Sequence, residues 1–169
     1  MKTYLGVDGG GSKTRFLLID EAGKVLAAQT EGSAYHLEIG LDALRAMLAR
    51  GIGRTLREGG VAISDLTCAF LGLPAYGEDR ELEATLDAAP ASALPGGRYR
   101  CGNDMVCGWA GALAGAEGIN IAAGTGSIGI AAAAAARLQT FISPARASAA
   151  LRNHYAQGPR EPDRAGPQI

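Results

Sequence analysis

Cysteine is scarce in this sequence. Only Cys68, Cys101 and Cys107 occur among the 169 residues, and no two of them form a Cys-x-x-Cys pair. An odd number of cysteines without metal-ligand spacing is typical of a protein from a reducing cytosol. We therefore interpret each of the three as a small, buried hydrophobic side chain.

Long apolar runs and an excess of one charge are also missing. Arg137 ends the small-residue run that includes residues 131–136, so no segment has the length and composition of a membrane span. The N-terminal apolar run is too short for a signal peptide. The net charge of −1 gives no electrostatic footprint for nucleic acid, and 47% hydrophobic residues suffice for a globular core. We expect a cytoplasmic protein of about one domain, without repeats and without nucleic-acid or membrane partners.

The first three predicted elements are strands, and helices and strands alternate after them. Residues 4–7, 14–20 and 25–30 are apolar runs bounded by glycine-containing turns, and the last two form a predicted β-hairpin. Apolar residues at three- and four-residue steps over residues 41–56 predict an amphipathic helix. The remaining predicted elements are a strand over 66–73, a helix over 78–89, a strand over 99–102, a helix over 104–114 and a strand over 119–123. This order predicts an α/β fold with a mixed sheet.

The stretch GVDGGGSKT, residues 6–14, contains a glycine-rich loop for which three interpretations compete. A Walker A loop needs lysine directly after its last glycine and then a helix, but Ser12 separates Gly11 from Lys13 and a strand follows. A dinucleotide fingerprint needs glycine where Thr14 stands. The third interpretation is a turn between antiparallel strands. It presents the backbone N–H groups of residues 10–13 to a phosphate and places Asp8 towards Mg²⁺, through water. A non-functional alternative is a tight hairpin whose glycines only relieve strain.

A second glycine motif, GTGS, follows the predicted strand over residues 119–123. Gly124, Gly126 and Gly129 match the spacing of the dinucleotide fingerprint. That fingerprint also needs an acidic residue about 20 positions later, and none occurs there. A second phosphate-binding turn, complementary to the first, is the simpler interpretation.

Asn103 and Asp104 lie at the junction of a predicted strand and a predicted helix. A side chain at such a junction commonly caps the helix. A carboxylate at the carboxyl end of a strand also points into the cleft where open α/β sheets bind ligands. Between two phosphate-binding turns, we interpret Asp104 as a catalytic base that can still cap.

As an ordered set, these motifs resemble the BadF/BadG/BcrA/BcrD-type ATPases. The segments that carry the resemblance are YLGVDGGGSKTRFLLIDEAGKVLA, GSAYHLEIG, LGLPAYGED, GNDMVCGWAGAL and GINIAAGTGSIG. Within that family they are most similar to the N-acetylglucosamine and glucosamine kinases of the actin-like superfamily. The resemblance covers residues 4–130. It implies ribonuclease-H-like lobes, each with a mixed sheet flanked by helices, and ATP and Mg²⁺ bound in the cleft between two lobes.

The resemblance also implies a role for each motif. Asp104 matches the catalytic aspartate, Asn103 its neighbour in the sugar pocket, and Asp8 the residue that orients Mg²⁺. Residues 33–36 match a segment that contacts the sugar, and Tyr35 and His36 are its candidates; Tyr35 stands where some relatives have asparagine. The residues implied around the terminal phosphates are Gly10, Gly11, Ser12 and Lys13 in the first turn and Gly124, Thr125, Gly126 and Ser127 in the second.

The resemblance ends after residue 130. The G-G-W-G and G-D-E-G-S segments and the adenosine-binding region that continue the family pattern do not follow. No acidic residue occurs between Gly118 and Arg160, and the last residues are rich in Pro, Gly and Arg. We therefore predict an N-terminal ATPase lobe over residues 1–115, the start of a second lobe over 116–136, and an atypical tail over 137–169 that is disordered or frameshifted. A divergent natural end is the alternative.

Three functions are compatible with these observations. The first is ATP-dependent phosphorylation of an amino sugar, in a truncated form of the kinase. The second is an ATPase that activates a partner enzyme through an iron–sulfur cluster, for which the three cysteines offer no paired pattern. The third is a non-catalytic fragment that binds nucleotide or sugar. The sequence is also compatible with a homodimer.

Overall fold

The computed structural model of the chain describes residues 1–114, 116–123, 127–133 and 136–143. Two compact units are present, Met1–Ala116 and a second that begins at Glu117. The first contains a five-stranded sheet and the second a three-stranded sheet. The boundary between the units lies one residue after the predicted one at 115/116.

The sheet of the first unit is mixed, as the sequence predicts. Strands β1 (Thr3–Gly9), β2 (Thr14–Asp20) and β3 (Val25–Glu31) form an antiparallel meander. Strands β4 (Leu66–Leu73) and β5 (Tyr99–Asn103) add to it in parallel, so the strand order is β3-β2-β1-β4-β5. The carboxyl ends of β1, β4 and β5 therefore meet at one edge of the sheet.

Four α-helices and one 3-10 helix (Ile63–Asp65) accompany the described strands of this unit; the α-helices are α1 (His36–Ile39), α2 (Leu41–Glu58), α3 (Arg80–Ala88) and α4 (Asp104–Leu113). The short helix α1 has no counterpart in the sequence prediction. Helix α2 packs on β2 and β3 with the apolar face that its periodicity predicts, and its buried residues include Leu44, Leu48, Ile52 and Leu56. A side chain at Gly51 would overlap the ring of Phe16, so α2 approaches the sheet closely there.

The two faces of the sheet have different surroundings. Along β1, Leu5 and Val7 are buried in the main core, while Gly6 and Asp8 are exposed on the opposite face. Helix α4 packs on β1 and β4. Beside it lies an open groove of about 880 Å³, lined by residues of α4, β1, β2 and β3 together with Phe70, and Asp8 is part of its wall.

The second unit contains strands β6 (Gly118–Ala123), β7 (Ser127–Ala133) and β8 (Ala136–Ser143), paired antiparallel in sequence order. The sequence predicts only the first of them. Residues 127–133 are mostly small, and alanine and glycine are poor strand formers, so the residue pattern does not predict β7. Strand β8 covers residues 137–143 of the predicted atypical tail, and the rest of that tail, residues 144–169, lies outside the described residues.

One expectation about the cysteines is wrong. Cys68 is exposed, while Cys101 and Cys107 are partly buried. Cys68 lies near the start of β4. Its exposure follows from its position on the strand and not from its residue type. Along the described part of the chain, no helix is both long and apolar enough to cross a membrane.

Gly72 permits a close contact between α4 and the sheet. A Cβ at Gly72 would lie 2.9 Å from Asp104 Cα and 2.8 Å from Cys107 Sγ. Both distances are shorter than real Cβ contacts, and one of the two neighbours is backbone. Only glycine lets α4 begin directly against β4.

We expect Gly72→Ala to destabilise the first unit and displace the start of α4. Overpacking of this kind typically costs about 1–3 kcal/mol in the free energy of unfolding, which urea denaturation would measure. Gly11→Ala is the matched control, because nothing lies within 4 Å of the added Cβ there. Adding Cys107→Ala to Gly72→Ala should recover only part of the loss, since the contact with Asp104 remains. Equal stability of the Gly72→Ala and Gly11→Ala variants would contradict this account.

Candidate active site

The glycine-rich stretch forms a hairpin turn between antiparallel strands, a geometry shared by the third interpretation and its non-functional alternative. Gly9 and Thr14 are cross-strand partners, and the Gly10 N–H donates to the Lys13 carbonyl at 3.0 Å. A strand follows the turn, whereas a Walker A loop would lead into a helix. We refer to residues 10–13 as the glycine turn.

The turn offers fewer free donors than the sequence suggests. The N–H of Gly10 closes the hairpin, so it does not face a ligand. The backbone N–H groups of Gly11, Ser12 and Lys13 make no hydrogen bond to another described residue, and all three residues are exposed. Consecutive free N–H groups with a lysine form a site that suits a phosphate group.

The segment between β3 and α1, residues 32–35, lies against the glycine turn. We call it the β3–α1 loop. The Ala34 N–H donates to the Gly10 carbonyl at 3.0 Å, and the Thr14 hydroxyl donates to the Gly32 carbonyl at 2.8 Å. The sequence gives no indication of either bond, because each joins segments about 20 residues apart, too far for local patterns to detect.

Tyr35 and His36 continue this loop into α1. Tyr35 is the N-cap residue and is partly buried, and its ring meets that of His36 edge to face, with centroids 6.2 Å apart. His36 is only 6% exposed, and its Nδ1 is buried without a hydrogen-bond partner among the described residues. Such an unpaired nitrogen costs free energy unless another group satisfies it.

Asn103 caps α4, although the sequence left the cap open between Asn103 and Asp104. The Asn103 Oδ1 accepts from the Met105 N–H at 3.0 Å, and its Nδ2 donates to the Tyr76 carbonyl at 3.1 Å. Asn103 is 8% exposed, so its amide is mainly engaged within the protein. Asp104 is thereby the first residue of the helix and is not its cap.

The structure brings Asp8 and Asp104 together across Gly72. Asp8 is the partner of Gly72 in the parallel β1–β4 register. Asp104 Cα lies over Gly72, 2.9 Å from the position that a Cβ at Gly72 would take. The two carboxyl groups are close enough for the charge of Asp8 to raise the pKa of Asp104.

Burial is the largest cause of a raised pKa at both carboxyl groups. At Asp104 the charges of Asp8 and Glu78 raise the pKa further, while backbone N–H groups at the start of α4 oppose the shift. Asp8 keeps contact with solvent, but surrounding protein atoms still raise its pKa, and Arg15 lowers it. Arg15 is the cross-strand partner of Asp8 on β2.

Cys107 lies on α4 and contacts the sheet beside these carboxyl groups. Its thiol donates to the Val7 carbonyl at 3.3 Å. Burial, followed by the charges of Asp8 and Asp104, raises the pKa of Cys107 to about 12. The thiol therefore stays neutral at physiological pH and packs α4 against the sheet.

Asp8 and Asp104 suit a cation that arrives with phosphate groups. Within the described residues, no cluster of three or more His, Cys, Asp or Glu side chains could hold a metal ion. Mg²⁺ commonly binds through one or two carboxylates, several waters and the phosphates of a substrate. The donor set therefore fits Mg²⁺ bound to a nucleotide better than a resident metal.

The second predicted phosphate turn is only partly described. Gly124, Thr125 and Gly126 lie outside the described residues, and Ser127 begins β7, where it pairs with Ala123. The predicted turn therefore connects two antiparallel strands, β6 and β7.

Two curated relatives of this chain are both named as amino-sugar kinases. The N-acetyl-D-glucosamine kinase of Dictyostelium discoideum is 29% identical over 135 residues, which are 75% of this chain and 42% of the relative. The glucosamine kinase GspK of Vibrio cholerae is 28% identical over 130 residues, 77% of this chain and 43% of the relative. The chain thus spans less than half the length of these curated relatives.

Solved structures show the same fold. A candidate N-acetylglucosamine kinase from Chromobacterium violaceum superposes with a TM-score of 0.65 at 25% identity, covering 83% of this chain and 48% of that protein. The ethanolamine utilization protein EutJ from Carboxydothermus hydrogenoformans has a TM-score of 0.60 at 18% identity, covering 91% and 57% respectively, which supports the fold alone. The described sheet and helices are those of an actin-like ATPase lobe.

The model of the BadF/BadG/BcrA/BcrD ATPase family matches residues 5–143. This range is most of the chain and includes Asp8, the glycine turn and Asp104. The chain therefore belongs to the BadF/BadG/BcrA/BcrD ATPase family.

Proposed function

We propose that this chain carries the first lobe of an ATP-dependent kinase that phosphorylates an amino sugar, N-acetylglucosamine or glucosamine. The observation that carries the proposal is the approach of Asp8, at the end of β1, and Asp104, directly after β5, across the intervening strand β4, beside a turn with free N–H groups. The names of the two curated relatives supply the substrate class. The proposal places the enzyme in the cytoplasm.

In this proposal Asp104 is the general base. Its carboxylate accepts the proton of a sugar hydroxyl, whose oxygen forms a bond to the γ-phosphorus of ATP while the bond to the ADP oxygen breaks. A raised pKa makes the carboxylate a better proton acceptor near neutral pH. The N–H groups of Gly11, Ser12 and Lys13, together with the lysine ammonium, hold terminal phosphate oxygens, and residues 124–127 are assigned to phosphate binding as well.

In this proposal Asp8 orients the cation. Arg15 opposes protonation of Asp8, so its carboxylate is available to orient Mg²⁺ through water. Bound Mg²⁺ neutralises phosphate charge during the transfer.

The sugar side consists of Tyr35, His36 and Asn103. His36 is assigned to the sugar side with its buried Nδ1, which has no hydrogen-bond partner among the described residues. The Asn103 amide is largely committed to capping α4 and to the Tyr76 carbonyl. We therefore assign Asn103 mainly to holding Asp104 and the Tyr76 segment in place.

We expect Asp104→Asn to abolish sugar phosphorylation while leaving ATP·Mg²⁺ binding nearly intact. The assay uses a chimera in which residues 1–116 replace the corresponding part of the Vibrio cholerae glucosamine kinase. Loss of a general base lowers kcat about 10²- to 10⁴-fold. Asp42→Asn is the control, because Asp42 is an exposed carboxylate in the first turn of α2. Turnover in Asp104→Asn at the level of the unsubstituted chimera would refute the assignment.

The same substitution should stabilise the ligand-free chain at neutral pH. A carboxyl group whose folded-state pKa lies above its ordinary value of 3.8 binds its proton more tightly when folded. Its ionisation therefore lowers stability as pH rises from the ordinary pKa to the raised one, and the loss is complete above the raised pKa. Asp104→Asn removes this loss.

Urea denaturation at two pH values would measure the effect. At pH 7 Asp104→Asn should unfold at higher urea concentration than the wild type, and the difference should vanish at about pH 3, below the ordinary carboxyl pKa. Asp42→Asn should bring no gain at either pH. If Asp104→Asn is less stable than wild type at pH 7, the backbone N–H groups of α4 stabilise the Asp104 carboxylate more than burial destabilises it.

Asp8→Asn should weaken binding of ATP·Mg²⁺ more than binding of the sugar. The carboxylate is on the cation side in this proposal, and its replacement keeps size and shape while removing the charge. Isothermal titration of each ligand, with and without Mg²⁺, would measure the difference. Equal losses for both ligands would indicate a collapsed strand end and would count against a role in cation binding.

A further inference from the structure

We propose that Thr14 is a positioning residue that couples the glycine turn to the β3–α1 loop, so that nucleotide and sugar bind cooperatively. The inference rests on the proposed function, because it assigns phosphate to the turn and sugar to the segment that follows the loop. Thr14 contacts neither ligand in this proposal. It acts through the backbone of Gly32.

The Thr14 hydroxyl joins the two segments directly. Thr14 is fully buried, and its Oγ1 donates to the Gly32 carbonyl at 2.8 Å. Thr14 follows the last residue of the glycine turn, and Gly32 is the first residue of the β3–α1 loop. In the β2–β3 register Thr14 pairs with Glu31, so the hydroxyl continues the ladder by one bond beyond the last strand pair.

A backbone bond links the other end of the turn to the same loop. The Ala34 N–H donates to the Gly10 carbonyl at 3.0 Å. Ala34 is fully buried, and its Cβ lies 3.0 Å from where a Cβ at Gly9 would be. The loop is thus held at both ends of the glycine turn. A shift of the turn on phosphate binding would move the loop that leads to Tyr35 and His36.

The end of β3 is fixed independently, by ion pairs with α2. The Glu31 carboxylate accepts from Arg50 Nε at 3.0 Å and Nη2 at 2.9 Å, and from Arg54 Nη1 at 3.0 Å. Gly32, by contrast, has no packed neighbour around its missing Cβ. Since β3 is anchored up to Glu31, the Thr14 bond is the side-chain contact that restrains Gly32.

A restraint shared by two binding segments produces reciprocal coupling. Each ligand that orders the turn or the loop lowers the entropy loss left for the other ligand. A single buried hydrogen bond is worth a factor of about 2–10 in an equilibrium constant. We expect the coupling through Thr14 to be of this size.

The chain offers a matched control for Thr14. Thr55 is also fully buried, and its Oγ1 donates to the Gly51 carbonyl at 2.8 Å, within α2. Thr14→Val and Thr55→Val each remove one buried hydroxyl and leave one glycine carbonyl without that donor. The two substitutions should change the free energy of unfolding by similar amounts. A difference in ligand coupling between them therefore reflects the position of the hydroxyl and not a loss of stability.

The experiment measures the dissociation constant of ATP·Mg²⁺ with and without saturating glucosamine, and the reciprocal pair, by calorimetry on the full chain. In wild type and Thr55→Val each ligand should tighten the other. In Thr14→Val this mutual tightening should fall about 2- to 10-fold, while each ligand alone binds nearly as in wild type. Thr14→Ser, which keeps the hydroxyl, should restore the coupling. Unchanged coupling in Thr14→Val, or an equal loss in Thr55→Val, overturns the proposal.

Hydrogen exchange separates this inference from the proposed function. In the ligand-free chain, Thr14→Val should speed exchange of the Ala34 amide, while Thr55→Val should not. A chimera of residues 1–116 with the Vibrio cholerae glucosamine kinase that binds neither ATP·Mg²⁺ nor amino sugar would refute the proposed function. Unchanged exchange at Ala34 in Thr14→Val would refute the bridge itself, whatever the ligands do.

Discussion

The close approach of α4 to the sheet at Gly72 is the constraint on which the candidate site depends. Because Gly72 has no Cβ, Asp104 Cα can lie directly over β4, and the Cys107 thiol can reach the Val7 carbonyl on β1. Asp8 is the partner of Gly72 on β1, so both carboxyl groups lie beside Gly72, at the same end of the sheet. Their raised pKa values follow from that shared and partly buried position.

A second missing side chain extends the same principle to the loops. A Cβ at Gly9 would lie 2.6 Å from the Gly72 carbonyl and 3.0 Å from the Ala34 Cβ. Two glycines on paired strands therefore let the helix start, the glycine turn and the β3–α1 loop converge. The two carboxyl groups are positioned by a strand and a helix in backbone contact, and sites built on such elements are more precise than sites on loops.

Local sequence patterns predict the elements well but not their contacts. The strands predicted over residues 14–20 and 66–73 agree with β2 and β4, and the helix predicted over 41–56 agrees with α2, because apolar periodicity and turn residues act locally. The exposure of Cys68, the engagement of the Gly10 N–H and the Thr14–Gly32 bond depend on which segment packs alongside. The choice of Asn103 as the cap likewise depends on its bond to the Tyr76 segment, which no spacing reveals.

The two carboxyl groups have different surroundings, and the difference matches the roles proposed for them. Asp8 faces a cationic cross-strand partner, Arg15, which favours its charged form. Asp104 has two acidic neighbours, Asp8 and Glu78, which favour its protonated form. Burial raises both pKa values, but the charged neighbours act in opposite directions, lowering the pKa of Asp8 and raising that of Asp104. The group with the cation nearby is suited to remain a metal-orienting carboxylate, and the group among acids is suited to accept a proton.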